Sequence, residues 1–443
     1  MIPILLLLAL GGLMHAAGTF AASSATLAGP ELAFGFLLLT AYFAGSLVAR
    51  MSMPRLTGYI IAGIVVGPFA LRLVEQQQTG ELRMVGDVAT AIIALTGGAE
   101  LELKSIRPLF KSIRAMTFYA VIGSMVVVAG TLLVIRPLIP FLDALPLTQA
   151  AAVSGALGVA FAAQSPAVVM ALIGETRAAG VLTQTILSVV VIADLVVVVL
   201  YGIASAAATA VVSGQADLAR TIGGIAWEIL GSIGIGIFVG IAIERFLLYV
   251  NRGVGLFAVM VCFVVAEVGA AVHLDPLVIM LTAGIYLQNF SKADAHHLID
   301  GFDAASLPVY LVFFALAGAK LDLGVVRQLA LPVALVATAR AAAFWAGSKV
   351  AARRAGASPA VARYAWLGLV PQAGLALALA ELMRRTFHDF GDKAFALVLG
   401  VVGVNQMISP ILLRIAILRS GEAGKREAHD FADGDAAPAG PPP

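Results

Sequence analysis

Apolar residues in this chain come in long, nearly unbroken runs, without the alternation of a half-buried strand or the polar face of a surface helix. Runs able to cross about 30 Å of hydrocarbon as helices fall near residues 31–50, 55–73, 87–103, 115–135, 147–173, 180–212 and 221–245. A second series covers 253–272, 275–288, 305–322, 327–350, 361–383 and 393–418, with 275–288 short enough to be a tilted or partly buried span. The pattern predicts an all-α polytopic membrane protein with about thirteen transmembrane helices over 31–418. Residues 1–30 stand apart. The run from Ile2 to about Gly18 is apolar and precedes an Ala/Ser-rich stretch with cleavage options, yet it carries no basic n-region. It reads equally as a signal peptide or as an extra N-terminal helix.

Composition removes the soluble alternative. Of 443 residues, 60% are hydrophobic and 12% charged, and the mean hydropathy is +0.99. A soluble domain is about 25% charged, so too little polar surface is present to face water. The net charge of +2 gives no reason to expect a nucleic-acid partner. The partner is membrane lipid. The single cysteine, Cys262, lies in an apolar run and excludes a disulfide framework. All six histidines lie at segment ends or in loops, so none is expected to ligate haem or metal within the membrane. Placing alternate loops inside puts eighteen Lys and Arg on one side and nine on the other, with Arg340 left in the membrane. That bias predicts a cytoplasmic C-terminus. The polar, Pro/Gly/Ala-rich stretch 421–443 cannot bury a core and is expected to be a disordered cytoplasmic tail, with no cytoplasmic domain appended.

The chain also repeats itself. IAGI at Ile61 to Ile64 matches TAGI at Thr282 to Ile285, and GAELEL at Gly98 to Leu103 matches GAKLDL at Gly318 to Leu323, at offsets of 221 and 220. Six helices over 31–212, one linker helix at 221–245 and six more over 253–418 make a duplication whose odd linker inverts the second copy. Inverted repeats place a working site near the midplane, where interrupted helices meet, and suit alternating access.

Asp194 sits at the centre of GVLTQTILSVVVIADLVVVVLYGIASAA. A charge at mid-bilayer costs about 2.5–3.5 kcal/mol on insertion scales, so the carboxylate must be neutralised by a proton, by a small cation, or by pairing with Arg340 that merely fixes packing. If a proton and Na⁺ or K⁺ compete for one group and only occupied forms cross, the two ions are exchanged. A monovalent cation needs more oxygens than one carboxylate offers. Gln164 and Ser165, beside the helix-breaking Pro166, are candidate auxiliary ligands, and the proline removes the amide that would bond the Ala162 carbonyl. The run LGLVPQAGLALALAE gives a counterpart break at Pro371 and Gln372. Asn405 and Gln406 occupy the place equivalent to Asp194 in the second half, for interhelical hydrogen bonding or for the site. Arg340, mid-span, needs a carboxylate or a wet cavity; Asp194, Glu267 and Glu228 are candidate partners.

An intramembrane aspartyl protease needs two mid-membrane aspartates and a Ser/His protease an embedded histidine, and neither is present, so no enzyme activity and no cofactor are expected. A sodium-coupled organic-anion carrier on a related scaffold and a passive cation channel stay open as alternatives.

The segments RLTGYIIAGIVVGP, AAQSPAVVMALIGE followed by IADLVVV, LPVYLVFFALAGAKLDL and GLVPQAGLALALAE, in that order over residues 31–418, resemble the monovalent cation:proton antiporter family of the sodium/hydrogen exchanger superfamily, in its bacterial Kef-like branch. The resemblance implies an inner-membrane homodimer with an elevator-like core, and discontinuous helices around 147–173 and 361–383 crossing at mid-membrane. It also implies that Asp194 is the ion-binding acid and that Arg340 lies on the helix where such proteins often carry a base facing the site. Family members commonly have Asp, Asn or Gln immediately before that acid, whereas this chain has Ala193. With one titratable carboxylate per cycle, electroneutral one-for-one exchange is expected. The family's frequent nucleotide-sensing domain is missing from this sequence, so gating by such a ligand is not expected.

Overall fold

The computed structural model describes residues 7, 9–14, 30–51, 53–99, 101–213, 218–250, 254–272, 274–292, 308–321 and 323–425, which form helices and their connections. Fifteen of these helices are labelled in chain order. The first half contains α1 (Pro30–Arg50), α2 (Arg55–Val66), α3 (Arg83–Ala99), α4 (Arg107–Val134), α5 (Leu147–Ala162), α6 (Pro166–Thr176) and α7 (Val181–Ser213). After α8 (Leu218–Tyr249) come α9 (Val254–Ala271), α10 (Pro276–Asn289), α11 (Pro308–Ala319), α12 (Ala330–Ala355), α13 (Pro359–Gly368), α14 (Gly374–Thr386) and α15 (Gly391–Ser420). Among the described residues, eight helical stretches are long and apolar enough to cross a membrane, joined by four shorter apolar helices. The chain is an all-helical membrane protein.

Most predicted runs coincide with a helix, and the exceptions have local causes. The run expected over 55–73 is helical only to Val66, because the C-cap Gly67 is followed by Pro68, which cannot continue the ladder. The run expected from 115 begins at Arg107, and its stretch Thr117–Ile122 is wound as π-helix. The runs 147–173 and 361–383 are each two helices. Of the N-terminal 1–30 region, only residues 7 and 9–14 lie within the described structure before α1, and they are helical. The tail expected to be disordered from Gly421 is docked over Gly421–Lys425, with Glu422 only 6% exposed. Residues 426–443 lie outside the described residues.

The helices pack in several sets, joined to one another where α7 meets α8, α6 meets α3 and α2 meets α15. α10 lies against α3 and α8, α9 against α3, and α1 against α2. Elsewhere α5 packs between α4 and α7, α12 against α4, α13 and α15, and α14 against α15. Two close crossings join α2 to α11 and α3 to α10. A Cβ on Gly63 would fall 1.9 Å from the Ala315 carbonyl oxygen, and one on Gly318 2.2 Å from that of Ile60. In the same way a Cβ on Gly98 would fall 2.1 Å from the Leu281 oxygen, and one on Gly284 2.2 Å from that of Leu95. Only glycine permits backbones this close. These are the glycines of the two repeated sequence segments, and in both crossings each glycine meets the carbonyl three residues before its partner glycine.

Candidate ion-binding site

The first helix break has a local origin. Pro166 lacks an amide and disfavours helical geometry in the residue before it. Ser165 is accordingly extended, at φ −130° and ψ 98°, and its hydroxyl accepts the Val168 N–H at 3.3 Å as the N-cap of α6. Ala163 is also non-helical, so α5 stops at Ala162 and α6 restarts at Pro166. The second break runs from Leu369 to Ala373 around Pro371. Broken helices persist in lipid only when covered by protein, and the most apolar window of Leu147–Thr176 is 94% buried.

Arg340 of α12 joins the two breaks. Its side chain is fully buried. Nε donates to the Phe161 carbonyl at 2.6 Å and one terminal nitrogen to Val370 at 2.6 Å. The other terminal nitrogen donates to Ala163 at 3.0 Å and to Leu369 at 3.4 Å. The guanidinium carbon also lies 4.6 Å from the centre of the Phe344 ring. α5 and α13 both end here, and the guanidinium therefore meets the negative ends of two helix dipoles along with their orphan carbonyls. In place of the expected carboxylate or wet cavity, Arg340 meets four backbone carbonyls: Asp194 accepts no bond from it, and the two it takes from the first break, Phe161 and Ala163, flank Ala162. Gln372 donates to the same Phe161 oxygen at 2.8 Å, and Asn405 of α15 donates to the Gln372 side-chain oxygen at 2.6 Å. Gln372 and Asn405 thus brace the breaks from the second half, and Gln406 is buried beside Asn405.

The opposite polarity faces Asp194. The N-terminus of α6, the positive end of a helix dipole, opens at the first break, and the Asp194 carboxylate lies in reach of the Gln164 backbone amide. Neither carboxylate oxygen completes a hydrogen bond with the protein, although the residue is 5% exposed. Both polar atoms of the Gln164 side chain, 1% exposed, are likewise without a partner. Buried polar groups are ordinarily satisfied. Two together, one of them a carboxyl group, at a helix break make a place where a small cation or proton is favoured. Ser165 adds a hydroxyl oxygen there, already accepting one N–H.

Two contributors escaped the sequence reading. Tyr201 donates to the Leu379 carbonyl at 2.8 Å, tying the Asp194 helix to α14. It lies two turns beyond Asp194 on the same face, a spacing that could have exposed it. Asp275 caps α10, accepting the Leu277 N–H at 2.8 Å, and is a second carboxyl group whose charge, where ionised, bears on Asp194. The signal was Asp-Pro at the head of the short apolar run 275–288.

A family model described as sodium/hydrogen exchanger, transmembrane, matches residues 35–418. The chain belongs to the sodium/hydrogen exchanger family. Exchanger relatives agree at lower resolution. A probable Na⁺/H⁺ antiporter 3 of Methanocaldococcus jannaschii is 21% identical over 89 residues, 20% of this chain and only 22% of that protein's length. Two structures of the sodium proton antiporter MjNhaP1 from the same organism share its fold, one determined at pH 8 with a TM-score of 0.64 and the other from an electron-microscopy map with 0.68. Each is 15% identical; both cover 88% of this chain, and the chain covers 96% and 95% of them. This protein is therefore a multi-pass membrane protein of a family of cation and proton transporters, not of an enzyme family.

Proposed function

We propose that the protein exchanges one Na⁺ or K⁺ for one H⁺, with Asp194 holding either ion, Gln164 and Ser165 supplying further oxygens, and Arg340, Gln372 and Asn405 keeping the two breaks, at Pro166 and Pro371, in register. The observation that carries this reading is the buried Asp194 carboxylate, unbonded to protein beside an equally unbonded Gln164 at a helix N-terminus. An empty carboxylate in the membrane costs about 2.5–3.5 kcal/mol, roughly a hundredfold in population. The unloaded state therefore rarely crosses, and each return is coupled to the other ion. With Ala193 beside the acid, one charge enters as another leaves, and the cycle is electroneutral.

The finer placement follows the same reading. The reciprocal glycine crossings support a duplication of 31–212 by 253–418 with α8, in the stretch read as 221–245, as inverting linker. Counting each broken pair as one span gives thirteen crossings. The order of motifs supports a Kef-like branch, a homodimer in a bacterial inner membrane, and a cytoplasmic C-terminus. The test is cation-induced dequenching of a pH dye in inside-out vesicles, with Na⁺, K⁺ and Li⁺ in turn. Wild type should release the quench with its ion and Asp194→Asn should not. Undiminished exchange in that variant removes the mechanism.

A further inference from the structure

α15 ends at Ser420, and Gly421, left-handed at φ 71°, turns the chain back over the bundle. The next residue is a carboxylate with 6% exposure. Glu422 Oε1 accepts the Leu182 N–H at 2.7 Å and Oε2 the Thr183 N–H at 2.8 Å, so the side chain caps the first turn of α7 with both oxygens. Its carbonyl accepts the Ala179 N–H at 3.1 Å, and the Gly424 N–H donates to the Thr176 oxygen, at the end of α6, at 2.9 Å. Gly180 leaves room for the carboxylate. It has φ +157°, and a Cβ there would fall 2.3 Å from the Glu422 carboxyl carbon.

A short carboxylate between two amides at a helix N-terminus forms charge-assisted bonds aligned with the helix dipole. The three helices joined are those that carry the site: α6 brings the Gln164 break, α7 brings Asp194 and α15 brings Asn405. From Leu182 to Asp194 is twelve residues, about 18 Å of rigid helix, so an axial slip at the cap is delivered undiminished to the carboxylate. We propose that Glu422 is a positioning residue for cation exchange, setting the height of α7 against α6 so that Asp194 stays level with Gln164. This inference rests on the reading of Asp194 as the ion site.

The test uses purified full-length protein in liposomes with Na⁺ alone as the varied cation, comparing wild type, Glu422→Gln, Glu422→Asp, Gly180→Ala and Asp194→Asn. Glu422→Gln turns one acceptor into a donor facing an N–H, and Gly180→Ala displaces the carboxylate by collision. Both should raise the half-saturating Na⁺ about 5- to 10-fold with the maximal rate per folded protein within about twofold, and Glu422→Asp should recover part of the difference. Amide hydrogen exchange over residues 178–186 should quicken in step. A lost cap that left half-saturation unchanged, whatever it did to yield or melting temperature, would overturn the proposal. If Glu422→Gln does not fold, Glu422→Asp and Gly180→Ala decide by the same criterion. Wild-type activity surviving Asp194→Asn sinks the site reading, and this inference with it; unchanged half-saturation against Asp194-dependent activity sinks this inference alone.

Discussion

Arg340 and Asp194 are both isolated charges in apolar runs, and both were legible in the sequence because either is costly in hydrocarbon. Their partners were not. Arg340 bonds to carbonyls of Phe161, Ala163, Leu369 and Val370, and a main-chain oxygen has no letter in the sequence. Arg340→Ala should strand these acceptors and lower stability by about 3–5 kcal/mol, seen as a lower melting temperature in detergent. Arg340→Lys should fall between, since an ammonium lacks the planar fork that reaches two breaks at once; equal melting of Lys and wild type would contradict this account. Asp275 was passed over because a capping aspartate before proline is ordinary. Its carboxyl group, when ionised, favours any cation at Asp194, with a strength that rises as the local dielectric falls. Asp275→Asn should therefore raise half-saturating Na⁺ several-fold with little change in maximal rate, as measured in liposomes.

At the scale of elements, the existence of nearly every helix followed from hydrophobic run length, while the ends followed from residues that pattern alone underweights. Gly67 and Pro68 stop α2 seven residues short of the expected end at residue 73. Pro166 sets the first break, and other groups help to hold it open. Ser165 caps α6, and Arg340 and Gln372 take up the carbonyls that a continuous helix would have used internally. Pro166→Ala returns an amide at N1, where it has no intrahelical acceptor to bond. The variant should fold with stability changed by less than about 1 kcal/mol and keep at least half of the exchange rate in vesicles. Ablation of exchange would mean that the proline itself maintains the break.

At the scale of the whole molecule, the proposed duplication rests in the sequence on two short matches, and in the structure the glycines of those matches lie in the crossings that pair α2 with α11 and α10 with α3. Sequence could not show which glycine meets which carbonyl, because each crossing joins segments from different halves. Which helices pack together likewise depends on tertiary structure. It matters because α10, with Asp275, and α7, with Asp194, both pack against α8. If only Asp194 changes its load during the cycle, both loaded forms carry the same charge, and a complete cycle moves no net charge through an electrical potential. A potential of 100 mV is worth about 2.3 kcal/mol per charge moved, roughly a fiftyfold bias. Exchange in liposomes at an imposed 100 mV of either sign should therefore run at the rate seen at zero potential. A marked acceleration by one sign would mean that a second proton is carried, and Asp275→Asn would then be expected to abolish that voltage dependence while leaving exchange itself.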